Sequence, residues 1–535
     1  MQLVAASAPA VVAGAAALGV WLSGWRGVDH PAHHFRVALY REYGPTLWNT
    51  QWFGGHHTLG YGVLFPALAG PISIAIVGIA STVAAVGLFG AILRRLAVAR
   101  PTAGTVAFAF LMVVNFFEGR LPFALGLALA LAALLVALHR RWVPAAVLAL
   151  LAGLAAPLAA AFLALACGAW ALADAAPRWW RVGVMPQSWI AAAGLAPATF
   201  LALVFPEGGR FPFIWSYFVL TLLGAVAAMS VRGSAGAGQA ATPAGDRMEG
   251  AALAIGGALV AVAAVLFFFV PNPIGANLSR LAVLGGPILL AVAAGRHRRL
   301  SLVALVLIGW QCQPLLDLPA AIGNPSDEIA YHQPLIDAVL ARSDGPVRIE
   351  VPFTERHWET AHIAPEVALA RGWQRQLDYR FNDDTLLING LDDERYRAWL
   401  EANGVTFVAV PDVGLEQRSR TQARLAAESP GLEEVWANRN WVLYEVTDAV
   451  GLIEPIDGVD ARLVVLEPDR FEVEFTAPGT VLVRVRHSQH MAVSSGNGCT
   501  AARGEWTAVQ ATTAGRVVVG ADWFGGSEVC TIAAR

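Results

Sequence analysis

Between Gly27 and Arg36 the chain reads GVDHPAHHFR, one acid, three histidines and an arginine directly after a hydrophobic N-terminal segment. A carboxylate such as Asp29 can accept the proton of a hydroxyl brought within hydrogen-bond reach. Imidazoles and a guanidinium can compensate an anion, the guanidinium fork suiting phosphate in particular. In a helix starting here, His30 and His34 lie four apart on one face, continued by Val37 and Arg41 and bordered by His33. The same His pair plus Asp29 is also a partial metal-ligand set, so a divalent metal stays open, and no other cofactor is implied. The HExxH spacing of metalloproteases is absent, because proline or alanine stands where its glutamate would be. Asp29 has a structural alternative as well: Asp ahead of His30-Pro31 is a good helix cap with proline in the first turn.

Further polar residues fall in loops predicted on the same side: His56, His57, Glu118, Arg120, Glu207, Arg210, Asn277 and Arg280. Arginines there oppose the bias of Lys and Arg toward the cytoplasmic side, so Arg36, Arg120, Arg210 and Arg280 call for a reason. An anionic ligand such as a lipid phosphate headgroup supplies one; pairing with a nearby acid, Arg120 with Glu118 for example, is the alternative. The segment Trp48 to Pro66 (WNTQWFGGHHTLGYGVLFP) carries Trp52 among glycines and aromatics, either to stack on a sugar or prenyl chain or to form an ordinary aromatic belt.

The elements that must position these residues follow from composition. Of 535 residues 56% are hydrophobic and only 14% charged, and the mean hydropathy is +0.53, which identifies a polytopic membrane protein. A net charge of -3 gives no basic field for nucleic acid. Apolar segments are predicted near 3–24, 71–93, 101–117, 121–138, 184–205, 211–231, 250–270, 280–295 and 300–316. The stretch 142–173 reads as a helical hairpin broken between Gly153 and Pro157. With the N-terminus in the cytoplasm, Arg94, Arg95, Arg100, Arg140 and Arg141 fall there too; the hairpin brings Arg178, Arg181, Arg232, Arg247, Arg296, Arg298 and Arg299 to the same side and gives roughly eleven spans. The N-terminal segment lacks a basic region ahead of it and reads as an uncleaved first helix. The Gly/Ala/Ser-rich loop 232–249 reads as a flexible connector.

Beyond Asp317 the chain reads as water-soluble and, with an odd span count, outside. Residues 319–455 alternate helix and strand signals (VRIEVP at 347–352, a polar helix at 392–402, TFVAV at 406–410), predicting an α/β unit after a membrane domain over 1–318. From about 456 to 535, short alternating strands separated by Pro-Asp, Pro-Gly and Gly-Asn-Gly turns predict a β-sandwich, which covers the membrane part or binds glycan through Trp506 and Trp523. Cys499 and Cys530 both fall in this outer tail, where a disulfide can form. The predicted spans hold almost no Asp, Glu, Lys or Arg, which weakens ion-coupled transport as a function.

The pattern DHPAHHFRVALYREYGPTLWNTQWFGG…YGVLFP, with FFEGRLPFALG at 116–126 and NLSR at 277–280, resembles the type C glycosyltransferase superfamily (GT-C), bacterial multi-spanning enzymes with a first outer loop bearing an acid and a His/Arg-rich helix. The tail, with YRAWLEANGVTFVAVP, NRNWVLYEV and a β-sandwich, is similar to their exoplasmic parts. The two adjacent acids common in that first loop are absent here. The resemblance implies a GT-C-like fold and transfer of a sugar from a polyprenyl-phosphate donor to an envelope glycan, lipid or protein acceptor on the exoplasmic face of the cytoplasmic membrane. In that scheme Asp29 is the catalytic base. His30, His33, His34, Arg36, Arg120 and Arg280 are candidates to hold the donor phosphate, and Glu118, Glu207, Arg210, His56, His57 and Trp52 to contact substrate. A protein that binds or transports a lipid-linked sugar without bond cleavage would use the same arginines.

The predicted topology has a direct test. A tag at Ser495 should be reached by protease or impermeant thiol reagents from outside, and one in the 232–249 loop only after the membrane is opened.

Overall fold

The computed structural model describes residues 2–60, 62–176, 178–234, 244–293, 298–383, 385–387, 390–523 and 530. Contacts divide the chain into two compact units, Met1–His33 with Gly60–Ile322, and His34–Leu59 with Gly323–Arg535.

The first unit is helical: α1 (Gln2–Leu22), the start of α2 (His30–Tyr43), α3 (Leu64–Ala69), α4 (Ile74–Arg95), α5 (Pro101–Glu118), α6 (Leu121–Leu138), α7 (Trp142–Ala155), α8 (Pro157–Ala175), α9 (Pro186–Val204), α10 (Trp215–Ser234), α11 (Ala244–Phe269), α12 (Ala282–Ala293), α13 (Arg298–Trp310) and the short α14 (Leu318–Ala321). Among the described residues eight helices are long and apolar enough to cross a membrane, and Ser7–Leu22, Trp142–Ala155 and Trp215–Val231 are shorter apolar helices. The chain is therefore a membrane protein with eight to eleven apolar membrane helices. The expected hairpin is present as α7 and α8. Pro157 forces its predecessor out of the helical region, and Ala156 is extended at φ -157°, ψ 107°. Small residues let α6 and α7 approach: Ala133 and Ala137 of α6 and Ala145, Ala149 and Ala152 of α7 are wholly buried in one cluster. A larger cluster around Phe89, Phe108, Met112, Phe123, Leu127 and Phe162 forms the main core. Of the expected connector 232–249, residues 235–243 lie outside the described residues, while 232–234 end α10 and 244–249 begin α11.

The second unit contains α15 (Ile329–Leu340), α16 (Glu359–His362), α17 (Arg375–Phe381), α18 (Asp393–Ala402) and α19 (Ser419–Glu428). A small antiparallel pair, β1 (Trp48–Asn49) and β2 (His56–His57), precedes them. A five-stranded mixed sheet has the order β4 (Ala368–Leu369), β3 (Arg348–Glu350), β5 (Val405–Pro411), β7 (Trp441–Val446), β6 (Leu432–Ala437), with the first three strands parallel. Two antiparallel four-stranded sheets complete the chain. One runs β12 (Met491–Ser495), β15 (Gly515–Ala521), β10 (Arg470–Phe475), β9 (Ala461–Leu466); the other β13 (Gly498–Arg503), β14 (Trp506–Ala511), β11 (Gly479–Arg486), β8 (Ile453–Pro455). Their inner faces meet in one core of Phe471, Val473, Val481, Val483, Val509, Val517 and Val519.

Residues 34–59 differ from the sequence reading, which put them in the membrane part. They pack with the C-terminal residues: Leu369 N–H donates to Gln51 O at 2.8 Å, Thr50 N–H to Pro468 O at 2.9 Å, and Arg486 N–H to Gly54 O at 2.8 Å.

Cys499 on β13 and Cys530 are joined in a disulfide. Breaking it with Cys530→Ser should lower the stability of the C-terminal sheets by about 2–4 kcal/mol, read as a lower denaturation midpoint in the absence of reductant.

Candidate functional site

Helix α5 ends at Glu118, and Gly119, at φ 94°, turns the chain into Arg120 and α6. Asn115 stabilises this corner, its side-chain amide donating to Arg120 O at 3.1 Å. The Arg120 guanidinium contacts two carboxylates, with Nη2 3.3 Å from Glu118 Oε1 and Nε 3.4 Å from Asp29 Oδ2. Arg280, in the short 3-10 helix Gly275–Leu281 before α12, brings Nη2 to 3.6 Å from the same Asp29 oxygen. Glu118, Arg120, Asp29 and Arg280 thus form a chain of alternating charge, assembled from three loops. Burial works against the charge of Arg120, but the carboxylates of Glu118 and Asp29 outweigh it and hold its pKa above the usual value. Asp29 and Arg280 are each about one-fifth exposed, so the cluster is open on one side.

The Asp29 carboxylate engages Arg120 and Arg280, whereas the Asp29 backbone N–H donates to Glu118 O at 3.0 Å. His30 is wholly buried beside Trp21 and Phe116, and His33 is buried edge-on to Phe65, which makes both packing residues of the first unit rather than open ligand contacts. Between α9 and α10, Glu207 is half-buried and Arg210 exposed. Among the described residues no group of three or more His, Cys, Asp or Glu side chains is arranged to hold a metal ion.

The remaining candidates belong to the second unit. Arg36 donates to Gln374 Oε1 at 2.8 Å, and His34 meets the Trp358 ring at 5.0 Å. Trp52 is wholly buried, stacked on Phe35 at 4.2 Å, and donates from Nε1 to Thr360 O at 3.0 Å. His56 stacks on Trp52, and His57 Nε2 lies 3.1 Å from Ser488 Oγ. The aromatic segment around Trp48 to His57 is therefore a buried joint, not an exposed stacking platform.

Sequence reasoning missed a buried ionic network following the carboxyl ends of β3, β4 and β5, where α/β sheets commonly carry sites. Arg371 makes a two-pronged contact with Asp378, at 3.0 and 2.9 Å, and lies 3.9 Å from Glu350. His357, at φ 59°, stacks on Trp373 at 3.4 Å and places Nε2 3.2 Å from Glu416, which also pairs with Arg375. Burial pushes Glu416 up, but His357 and the arginines hold it below the usual carboxylate range. For Glu350 burial prevails: its pKa is pushed up to about 8, with Asp378 and Glu359 adding to the effect against Arg371. The run FTERHWE at 353–359, four charged or imidazole groups in seven residues directly after a strand, was the available signal.

No protein-family profile matches the chain, and no curated protein does. Among solved structures, it is similar to the cryo-EM structure of arabinofuranosyltransferase AftD from Mycobacteria, at 16% identity and a TM-score of 0.45, over 84% of this chain and 41% of that one. A mutant of the same protein aligns at 16% identity and a TM-score of 0.41, over 84% and 42% of the two chains. The chain thus spans less than half the length of these similar structures.

Glu350 gives the second unit a definite pH dependence. Between its ordinary pKa of 4.5 and about 8 the folded form keeps a proton that the unfolded chain releases, so its contribution to stability falls as pH rises through that window. Glu350→Gln should flatten this part of the stability profile, measured by denaturation of the full-length protein from pH 5 to about 9.

Proposed function

We propose that this chain is a membrane glycosyltransferase that moves a sugar from a polyprenyl-phosphate donor to a cell-envelope acceptor on the exoplasmic face. The observation that carries the reading is the carboxylate of Asp29 held between Arg120 and Arg280 at the ends of apolar helices. In the reaction the acceptor oxygen forms a bond to the anomeric carbon as the bond from that carbon to the phosphate oxygen breaks. The acceptor proton passes to Asp29, and the polyprenyl phosphate leaves with its charge compensated by Arg120 and Arg280. Before the donor arrives, Asp29 balances these guanidiniums. The donor phosphate takes over that balance and leaves the carboxylate available to the acceptor hydroxyl. Glu207 and Arg210 are further candidates for the acceptor.

The test uses the purified full-length protein in lipid with a panel of radiolabelled polyprenyl-phosphate sugars. Asp29→Asn should lower transfer by on the order of 10² or more while donor binding persists, because Asn keeps the shape but not the proton acceptor. Arg280→Ala should weaken donor binding roughly tenfold or more, as expected for a lost hydrogen bond to a charged group. An Asp29→Asn protein with full transfer activity would remove Asp29 as the base. A wild-type protein that binds donors but transfers none of the sugars would favour a binding or transport role.

A further inference from the structure

The chain leaving α1 closes directly on the carboxyl end of α5. Gly27 N–H donates to Phe117 O at 2.6 Å and Asp29 N–H to Glu118 O at 3.0 Å. His30 Nε2 lies 3.2 Å from Phe116 O, and since a carbonyl only accepts, Nε2 carries the proton and donates. The Phe117 and Glu118 carbonyls at the end of α5 are thus taken up by this four-residue segment, and the Phe116 carbonyl, which also accepts from Gly119 N–H at 3.1 Å, is shared with it.

Both partners are shaped for this approach. A side chain at Gly27 would place its Cβ 2.4 Å from the Glu118 backbone, and one at Gly119 would place it 2.5 Å from the His30 nitrogen. The imidazole is wholly buried, 6.4 Å from the Trp21 and Phe116 rings, so its direction is fixed by packing as well as by the hydrogen bond. Arg26 closes the cage, its guanidinium 3.8 Å from the Trp21 ring.

We propose that His30 is the positioning residue of the site: by donating to Phe116 O it clamps the first outer loop onto the end of α5 and sets the Asp29 carboxylate against Arg120 and Arg280. The proposal rests on the glycosyltransferase reading for its catalytic consequence, but the clamp itself has a readout that needs no substrate. The arrangement is sensitive because Asp29 and Arg120 approach from elements 91 positions apart, and the hydrogen bonds to the α5 carbonyls, with the close packing at Gly27 and Gly119, set their register. A carboxylate displaced by about 1 Å from its reacting position loses on the order of 10² in rate.

The experiment compares His30→Gln, which keeps an N–H donor at similar reach, with His30→Leu, which keeps bulk and removes the donor, in the full-length protein in lipid nanodiscs. The first measurement is hydrogen exchange of the amides of residues 27–30. His30→Leu should exchange about fivefold or more faster than wild type, and His30→Gln should stay near wild type. The second is transfer from the polyprenyl-phosphate sugar that serves as donor for the wild type. His30→Leu should lower kcat about tenfold or more with KM within about twofold, and His30→Gln should restore most of kcat.

Unchanged exchange in His30→Leu overturns the proposal, and so does equal acceleration in both variants, which would make ring packing rather than the hydrogen bond the agent. Accelerated exchange in His30→Leu with wild-type kcat, in a protein that Asp29→Asn inactivates, overturns the positioning role. If Asp29→Asn is active, the function reading fails independently, and the exchange contrast between Leu and Gln alone decides whether His30 sets the loop.

Discussion

A helix that ends inside a packed protein leaves its last carbonyls without intrahelical donors, and those of α5 are met by the Gly119–Arg120 corner and by Gly27, Asp29 and His30 at the start of α2. The exchange of hydrogen bonds between Phe116–Glu118 and Gly27–His30 has a consequence beyond backbone satisfaction. It joins the loop between α1 and α2 to the loop between α5 and α6, so the acid of one and the acid–arginine pair of the other share a location. Gly119, in the left-handed region, then turns Arg120 back toward both carboxylates. The charge cluster of the first unit follows from one solution to a helix-end problem.

The alternation of charge along Glu118, Arg120, Asp29 and Arg280 bears on what the arginines can do. They are not bare cationic groups awaiting an anion, because each already faces Asp29. An anion drawn to them competes with that carboxylate for the same donors, so its binding free energy is the difference between two sets of charge-assisted contacts. The partial exposure of Asp29, Arg120 and Arg280 makes such an exchange physically accessible. The network around Arg371 is the contrasting case: Asp378, Glu350 and Arg371 are all buried, and removing one partner would strand the others in a poorly polarisable interior.

What the sequence disclosed and what it withheld divide along physical lines. The apolar helices were legible because their character is a property of each segment by itself, and the break before Pro157 because proline restricts its own neighbour. The strands of the C-terminal sheets and the pairing of Cys499 with Cys530 were legible for the same local reasons. The membership of Trp52, His56 and His57 in a buried joint was not, because their partners Thr360 and Ser488 lie hundreds of positions away. Nor could the histidine run disclose its use. The i, i+4 spacing of His30 and His34 suggested a shared ligand, but His30 turns to a carbonyl 86 positions distant and His34 to Trp358.

The same comparison separates two meanings of a polar residue in an apolar chain. Asp29 was singled out as a carboxylate beside a His/Arg-bearing helix, Arg120 and Arg280 because arginines there oppose the cytoplasmic bias of Lys and Arg, and Glu118 as a neighbouring acid. Mutual pairing balances part of this charge, since Arg120 and Arg280 neutralise Asp29 and Arg120 also meets Glu118. Asp29 and its arginines keep partly exposed side chains, so the desolvation cost of the pairing is smaller than for the buried Arg371 network. His30 is fully buried and donates to Phe116 O, whereas Asp29, Arg120 and Arg280 keep about one-fifth of their side chains exposed.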